Sequence, residues 1–348
     1  MGIPVYNGAR YLSETIDSLL AQSFENFELV ISDNASTDGT DDICRHYVAR
    51  DSRIRYERQE RNYGAPWNYN RVFKLSQGAY FKWAAHDDLC TPNFLATCVN
   101  VLDLNPSVIW CQTRVGVIDS HGIPVRTQGC DLSGAAEVLT AREDSKFVLA
   151  DSKAMRFAHQ RFRNVLLGNN ACFDVYGLIR REALQRISLW KPYFGWEKVL
   201  MSALALQGKC AEVPDELFFF RVHEDACSAS GTLEEETAWS NPNKSSATFN
   251  FVVRFQLLVG HIRNVLEAPI GYWERANCFW GIMSYLLQFQ KWLSVIPQIV
   301  KNTGIGGSTR ETLRKHAEPQ FGSSGNPPAF EDITIVANDL ERQESRLR

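Results

Sequence analysis

Two stretches decide the reading: Ile3-Pro4-Val5-Tyr6-Asn7-Gly8-Ala9-Arg10, and Leu29-Val30-Ile31-Ser32-Asp33-Asn34-Ala35-Ser36-Thr37-Asp38-Gly39-Thr40. Each is an apolar run that breaks into small polar residues, and the second breaks at an acid followed by Ser, Thr and Gly. Between them, residues 11–22 carry Leu12, Ile16, Leu19 and Leu20 at i, i+4, i+7 and i+8, the apolar face of one helix. Strand, helix and strand in that order begin a parallel sheet, and ligands of such sheets sit beyond the carboxyl ends of the strands. Asp33 stands at such an end, where it can accept a hydrogen bond from a base N–H or a ribose hydroxyl. It suits equally an Asx turn that only stops the strand.

The alternation continues outward. Residues 41–49 and 65–76 read as helices, and 53–58 and 79–84 as strands. Thr91-Pro92 reads as the cap and first-turn proline of a helix reaching 104, and 108–118 as a strand. Residues 126–167 are weakly patterned and read as an inserted helical excursion. Strand patterns then fall at 172–180, 209–213 and 216–221, with helices at 181–187 and 198–207. Residues 245–300 read as helical and aromatic-rich, and 303–348, with their Gly and Pro, as a flexible tail. The expected class is α/β: a mainly parallel, Rossmann-like sheet flanked by helices, with a C-terminal helical extension. The expected organisation is a domain over 1–230, a helical region over 245–302 and the tail.

Composition narrows the partners. A net charge of −3 gives no basic footprint, so no nucleic-acid partner is expected. Nine cysteines without a C-x-x-C pair argue for reduced thiols, with Cys44, Cys98 and Cys278 buried on helices, and against a zinc site. No signal peptide is visible, and the longest candidate for insertion, 279–289, falls short of the roughly 20 apolar residues that a span needs. A cytoplasmic location is expected. Met1 lies so close to Ile3-Pro4 that a few upstream residues are expected to be missing.

Four further segments carry chemistry. Asn62-Tyr63-Gly64-Ala65 precedes a helix, where free backbone N–H groups suit phosphate oxygens; a plain loop and cap fits as well. Tyr80-Phe81-Lys82-Trp83-Ala84-Ala85-His86-Asp87-Asp88 is the strongest signal. Two adjacent acids after an apolar run are costly without a cation, and a hard divalent ion held by carboxylates and diphosphate oxygens meets that need. The plainer alternative has Asp88 capping the next helix and Asp87 solvated. Trp196-Glu197 opens a helix, where Glu197 is either a general base or a first-turn acid that favours the helix dipole. Arg221 and His223 share a face on period-two spacing and can meet a diphosphate or metal, or simply end a strand.

Taken in order from Ile3 to about Ser230, these pieces resemble glycosyltransferase family 2, whose members have the GT-A fold. The resemblance implies a nucleotide-sugar donor, a UDP-sugar first, a divalent cation (Mn2+ or Mg2+), inversion at the anomeric carbon, and a glycan or lipid-linked acceptor. It implies that Pro4, Tyr6 and Asp33 line the base pocket, with Asn62, Gly64, Asp88 and Arg221 as further donor-binding residues. Asp87 matches the last acid of the D-x-D element and would touch the metal, His223 would add a metal or phosphate contact, and Glu197 matches the catalytic base. Two positions depart from the pattern: Ala85 stands where D-x-D begins, and Lys198 stands where an acid often follows the base. A GT-A domain that binds a nucleotide-sugar or glycan without turnover is the alternative. A nucleotidyltransferase would need a stronger phosphate loop than Asn7-Gly8-Ala9-Arg10. The C-terminal aromatics Trp273, Phe279, Trp280, Tyr285, Phe289 and Trp292 suit either peripheral contact with the inner membrane face or helices packed on the domain.

Overall fold

A computed structural model describes residues 1–125, 155–168, 173–193, 195–224, 226, 239–240 and 250–288. The first half is the expected repeat. Strands β1 (Gly2–Val5), β2 (Leu29–Asp33) and β3 (Ile54–Arg58) form a parallel sheet in that order. Helices α1 (Leu12–Leu20) and α2 (Thr40–Val48) make the crossovers. β1 and β2 are buried along their whole length, which is why they read as unbroken apolar runs. α1 turns Leu12, Thr15, Ile16 and Leu19 inward, onto a core that includes Ile3, Val5, Leu29 and Ile31. The register sets Val5 beside Asp33 and Asp33 beside Arg58, so three carboxyl ends meet at one edge. Helix α3 (Ala65–Leu75) follows a left-handed Gly64, φ 88°, a conformation that favours glycine at this sharp entry.

The second sheet is mixed. Strands β4 (Tyr80–Phe81), β5 (Leu89–Cys90), β6 (Val108–Ile118), β7 (Leu178–Arg180) and β8 (Lys209–Arg221) run in the order β4-β7-β6-β8-β5. Only β6 and β8 pair in parallel; the other three pairings are antiparallel. The parallel character thus resides in β1–β3, in the β6–β8 pair and in the seam between the sheets. There the Gly2 N–H donates to the Lys82 carbonyl and the Ala84 N–H to the Gly2 carbonyl, both at 2.9 Å, with Gly2 bridging Trp83. This seam delivers residues 84–88 to the carboxyl edge of β1.

Helices α4 (Phe94–Leu104), α5 (Ala158–Leu167), α6 (Arg181–Gln185), α7 (Trp196–Gln207), α8 (Asn250–Glu267) and α9 (Tyr272–Leu286) complete the described elements. Trp83, Trp110, Trp190 and Trp196 share a second core that seats α7 on this sheet. Phe162, Leu206, Leu258, Val265, Cys278 and Ile282 form a third, which packs α5, α7, α8 and α9 together. The two C-terminal helices are therefore packed on the rest of the chain, and Cys44, Cys98 and Cys278 are buried thiols as expected. Among the described residues no helix is long and apolar enough to cross a membrane.

Several boundaries differ from expectation, among them the strand expected at 79–84, which is Tyr80–Phe81. The strand expected at 172–180 opens as a 3-10 turn, Phe173–Tyr176, and pairs only over Leu178–Arg180. Gly177 brings the backbone so near Cys111 that a Cβ would lie 2.7 Å from its carbonyl oxygen. The two strands expected at 209–221 are one, carried past Pro214 by register shifts against β6. Helix α4 begins at Phe94 with Asn93, not Thr91, in the cap position, and the Thr91 hydroxyl donates to Asn93 Oδ1 at 2.7 Å. Helix α7 starts at Trp196, as the Trp196-Glu197 reading has it and two residues ahead of the 198–207 pattern. Of the excursion expected over 126–167, 158–167 forms α5, while 126–154 lies outside the described residues, as do the boundary expected near 230–245 (apart from Trp239 and Ser240) and the tail.

Candidate active site at the sheet edge

The loops after β1 and β2 fit together through their own side chains. The Asn7 N–H donates to Ser36 Oγ at 2.8 Å, that of Gly8 to Thr40 Oγ1 at 3.0 Å, and that of Ala9 to Asp38 Oδ2 at 3.0 Å. In return the Thr37 N–H donates to Asn7 Oδ1 at 2.8 Å. Gly8 is required by close approach: a Cβ there would lie 2.6 Å from Val5 and 2.7 Å from the His86 ring. Asn7 and Ala35 both take positive φ, 53° and 65°, at this edge. Small polar residues therefore recur in both stretches because each supplies the other's backbone with partners.

Asp33 is fully buried. Its Oδ1 accepts the Ser36 N–H at 2.8 Å, and its Oδ2 accepts from the Tyr56 hydroxyl at 2.9 Å and from Arg58 Nε at 3.3 Å. The carboxylate thus makes the turn considered for it and pins β2 to β3. Beside it, Asn62 Oδ1 accepts from Asn34 Nδ2 at 2.7 Å and from the Gly64 N–H at 2.8 Å, so the Asn62 carbonyl shapes the α3 entry. Pro4 is buried in β1, whereas Tyr6 is 44 % exposed at its end. Tyr63 and Trp67 stack at 4.5 Å next to this edge.

The acid pair is built from four directions. Thr15 Oγ1 of α1 donates to the carbonyls of His86 and Asp88, at 2.9 and 3.0 Å. The Arg221 N–H, at the end of β8, donates to Asp88 Oδ1 at 2.9 Å, and its Nε donates to the Asp87 carbonyl at 2.8 Å. The rest of the guanidinium, fully buried, reaches Glu14 Oε2 at 2.7 Å and the Ser120 carbonyl at 3.4 Å, and lies 4.7 Å from the Tyr11 ring centre. Arg221 therefore sits beneath the pair as a brace. His223 Nε2 lies 3.0 Å from Asp87 Oδ2, and its ring rests on Tyr11 at 4.7 Å. Asp88 does not cap a helix and Asp87 is not solvated: Asp87's side chain is only 16 % exposed.

Charge is distributed unevenly within the pair. Burial first, and the Asp87 charge second, push the Asp88 carboxyl well above the usual range. Burial also works against an ionised Asp87, but the fields of His86 and His223 outweigh it and hold that carboxyl below its ordinary value. Lys82, fully buried, donates to the carbonyls of Trp83 and Tyr176 and lies over the rings of Phe94 and Phe218. Its charge moderates the rise at Asp88.

This donor set fits a hard cation. Asp87 Oδ2 and His223 Nε2, 3.0 Å apart, would be the side-chain atoms that hold a divalent cation. Asp88 Oδ2 and His223 Nδ1 are buried without a hydrogen-bond partner. Among the described residues no three His, Cys, Asp or Glu side chains cluster as a metal site.

Glu197 lies on the first turn of α7, half-buried, one residue after Trp196, which packs in the core with Trp83. Lys198 Nζ donates to the Gly168 carbonyl at 2.8 Å, tying α7 to the end of α5. The structure therefore joins Asp87, Asp88, Arg221 and His223 in one network, sets Asp33, Asn62 and Gly64 in a second network under the neighbouring loops, and places Glu197 on a separate helix. Sequence reasoning missed Asn34, Asn68, Glu14 and Lys82. Asn68, 2 % exposed, donates to the carbonyls of Val5 and Ser32 at 3.2 and 2.8 Å, clamping β1 to β2. An Asn on the apolar face of a helix was the available signal.

Comparison with known proteins identifies the family. The sequence profile of Glycosyl transferase family 2 matches residues 1–188. An uncharacterized glycosyltransferase of Rickettsia typhi is 37 % identical over 124 residues, 35 % of this chain and 38 % of that protein. Glycosyltransferase GlyG of Streptococcus pneumoniae is 32 % identical over 95 residues, 27 % of this chain and 32 % of GlyG. The chain thus spans about a third of the length of these relatives. The crystal structure of TarS from S. aureus superimposes with a TM-score of 0.52 at 16 % identity, covering 83 % of this chain and 43 % of TarS, a likeness of fold. With more than half of its residues matched by the profile, and with a parallel edge joined to a mixed sheet in the GT-A manner, the chain belongs to glycosyltransferase family 2.

Proposed function

We propose that the protein transfers a sugar, with inversion, from a nucleoside diphosphate donor, a UDP-sugar first, to a hydroxyl of a glycan or lipid-linked acceptor on the cytoplasmic side of the cell envelope. The observation that carries this reading is the Asp87–His223 pair, 3.0 Å apart at the carboxyl edge of the sheet and braced from below by Arg221. Envelope glycan synthesis is further supported by TuaG of Bacillus subtilis, a glycosyltransferase named for teichuronic acid biosynthesis, 39 % identical over 85 residues (24 % of this chain, 34 % of TuaG).

In this reading Asp87 and His223 would hold Mn2+ or Mg2+ together with the diphosphate. When bound, the cation offsets charge that develops on the departing diphosphate. Tyr6, exposed at the end of β1, meets the base. Pro4, Asp33, Asn62 and Gly64 act by fixing the loops on which base and phosphates rest, and Asp88 and Arg221 by fixing Asp87. Glu197 accepts the proton of the acceptor hydroxyl as its oxygen attacks C1 from the side opposite the diphosphate, a step worth about 10²–10⁴-fold in rate.

The test is Glu197→Gln assayed with a panel of UDP-sugars and Mn2+. Donor binding stays and transfer falls by at least about a hundredfold. Unchanged turnover would remove Glu197 from the base role. Cation-dependent donor binding by the unaltered protein without transfer or hydrolysis would favour the binding-only alternative, toward which Ala85 and Lys198 point.

A further inference from the structure

Helix α9 reverses the common arrangement of a surface helix. Its exposed side chains, with that of the capping residue, are Tyr272, Trp273, Ala276, Trp280, Met283 and Leu287, and at about 100° per residue they fall in one sector. No charged residue interrupts them. Trp280 is 69 % exposed and Trp273 60 %. The helix turns its charges toward the protein instead. Glu274 accepts from the N–H groups of Ala158 and His159 and pairs with the His159 ring, while Arg275 donates to the carbonyls of Val265 and Ala268. Trp273 also packs edge-on against Phe157, itself exposed. Contiguous exposed apolar side chains of this kind mark a contact surface.

Charge indicates what the surface meets. Residues 155–168 and 250–288 hold six arginines, no lysine and two glutamates, in a chain whose net charge is −3. Both glutamates are engaged, Glu274 as above and Glu267 with Arg263 at 2.6 Å, while Arg161 and Arg275 donate to main-chain carbonyls; Arg156, Arg163 and Arg254 have no carboxylate partner among the described residues. Arg163 of α5 flanks the helix, since a Cβ on Gly281 would lie 3.7 Å from its Cγ. Tryptophan, tyrosine and methionine bordered by arginine is the composition of a surface that lies at headgroup depth on an anionic bilayer.

We infer that the exposed face of α9 seats the protein on an anionic lipid surface, with the helix in the plane of the interface and Arg163 of α5 and Arg254 of α8 toward the headgroups. This stands independently of the glycosyl-transfer reading, since none of these residues belongs to the sheet-edge site.

The experiment is flotation of the full chain with vesicles of phosphatidylcholine alone or with about one third phosphatidylglycerol. Binding to the anionic vesicles is at least about tenfold tighter and falls when NaCl rises from about 0.1 to about 0.5 M. The double variant W280S/M283S loses about tenfold or more of that binding while keeping the unaltered melting temperature, because both side chains are exposed. A second variant, R163E, weakens binding through charge alone. Vesicle binding that W280S/M283S and R163E leave intact overturns the inference, as does an absence of vesicle binding. So does a concentration-dependent dimer that W280S/M283S abolishes, which would assign the face to a second copy of the chain.

Discussion

Replacing Arg221 by methionine asks whether the acid pair depends on the cation beneath it. The buried guanidinium makes two short bonds, to the Asp87 carbonyl at 2.8 Å and to Glu14 at 2.7 Å, and a long one to Ser120 at 3.4 Å. Hydrogen bonds to charged groups contribute about 1.5–3 kcal/mol each, so the short pair amounts to about 3–6 kcal/mol and the long bond adds little. Methionine has a similar reach and carries no charge that must be desolvated, which returns part of that loss. Glu14 is not stranded, because its side chain is 57 % exposed. Asp88 keeps its bond, since its donor is the Arg221 main chain. The expected net loss is about 2–3 kcal/mol in urea unfolding. Mn2+-dependent affinity for UDP, measured by calorimetry, is expected to fall about tenfold or more, equivalent to about 1.4 kcal/mol or above. Arg221→Lys keeps charge but cannot span Asp87 and Glu14 together, so its values lie between. Normal stability with normal Mn2+-dependent UDP binding in Arg221→Met would refute the bracing role; Arg221→Lys answers the same question if the methionine variant does not fold.

Three further outcomes follow from the same geometry. Asp87→Asn preserves size but not charge, and the Mn2+ concentration for half-maximal donor binding rises at least about tenfold; an unshifted titration removes the metal role. Asn68→Leu breaks two buried bonds but also deletes an unpartnered Oδ1, so the loss is about 1–2 kcal/mol and the melting temperature falls by roughly 2–8 °C in calorimetry; no change would show that the clamp is redundant. Burial, helped by the Lys198 charge, lowers the His261 pKa from 6.5 to about 3, so the unfolded chain binds the proton first. Its contribution is complete above about pH 6.5 and is lost as pH falls toward 3, with a slope near 1.4 kcal/mol per pH unit in between. His261→Gln flattens that slope in urea titrations at pH 4–6, and an unaltered slope would assign the acid sensitivity elsewhere.

The readable parts of the fold are those with local causes. β1, β2, α1 and β6 announce themselves by burial on both faces or on one helical stripe, and β6 runs over the expected residues, Val108–Ile118. Acids at 87 and 88 and the Arg221–His223 pair stand out as expensive residues after apolar strands, and they do meet. Their supports do not stand out. Glu14 reads as a first-turn acid of α1, yet its partner is 207 positions away. Lys82 reads as the polar break in a strand, yet aromatic faces and carbonyl oxygens enclose it. Asp33 carries the same letters whether it faces a ligand or a turn, and here it holds the Ser36 amide. The strand through Pro214 was legible only as two pieces, because its continuity depends on a shift in the partner β6.

The reciprocal fastening of residues 7–9 with 36–40 bears on how relatives are recognised. Those side chains are spent on one another's main chain, so the lettering of the two loops records the assembly of a scaffold and is silent on turnover. In the proposed reading the chemistry lies at positions 87, 197 and 223, apart from these N-terminal letters.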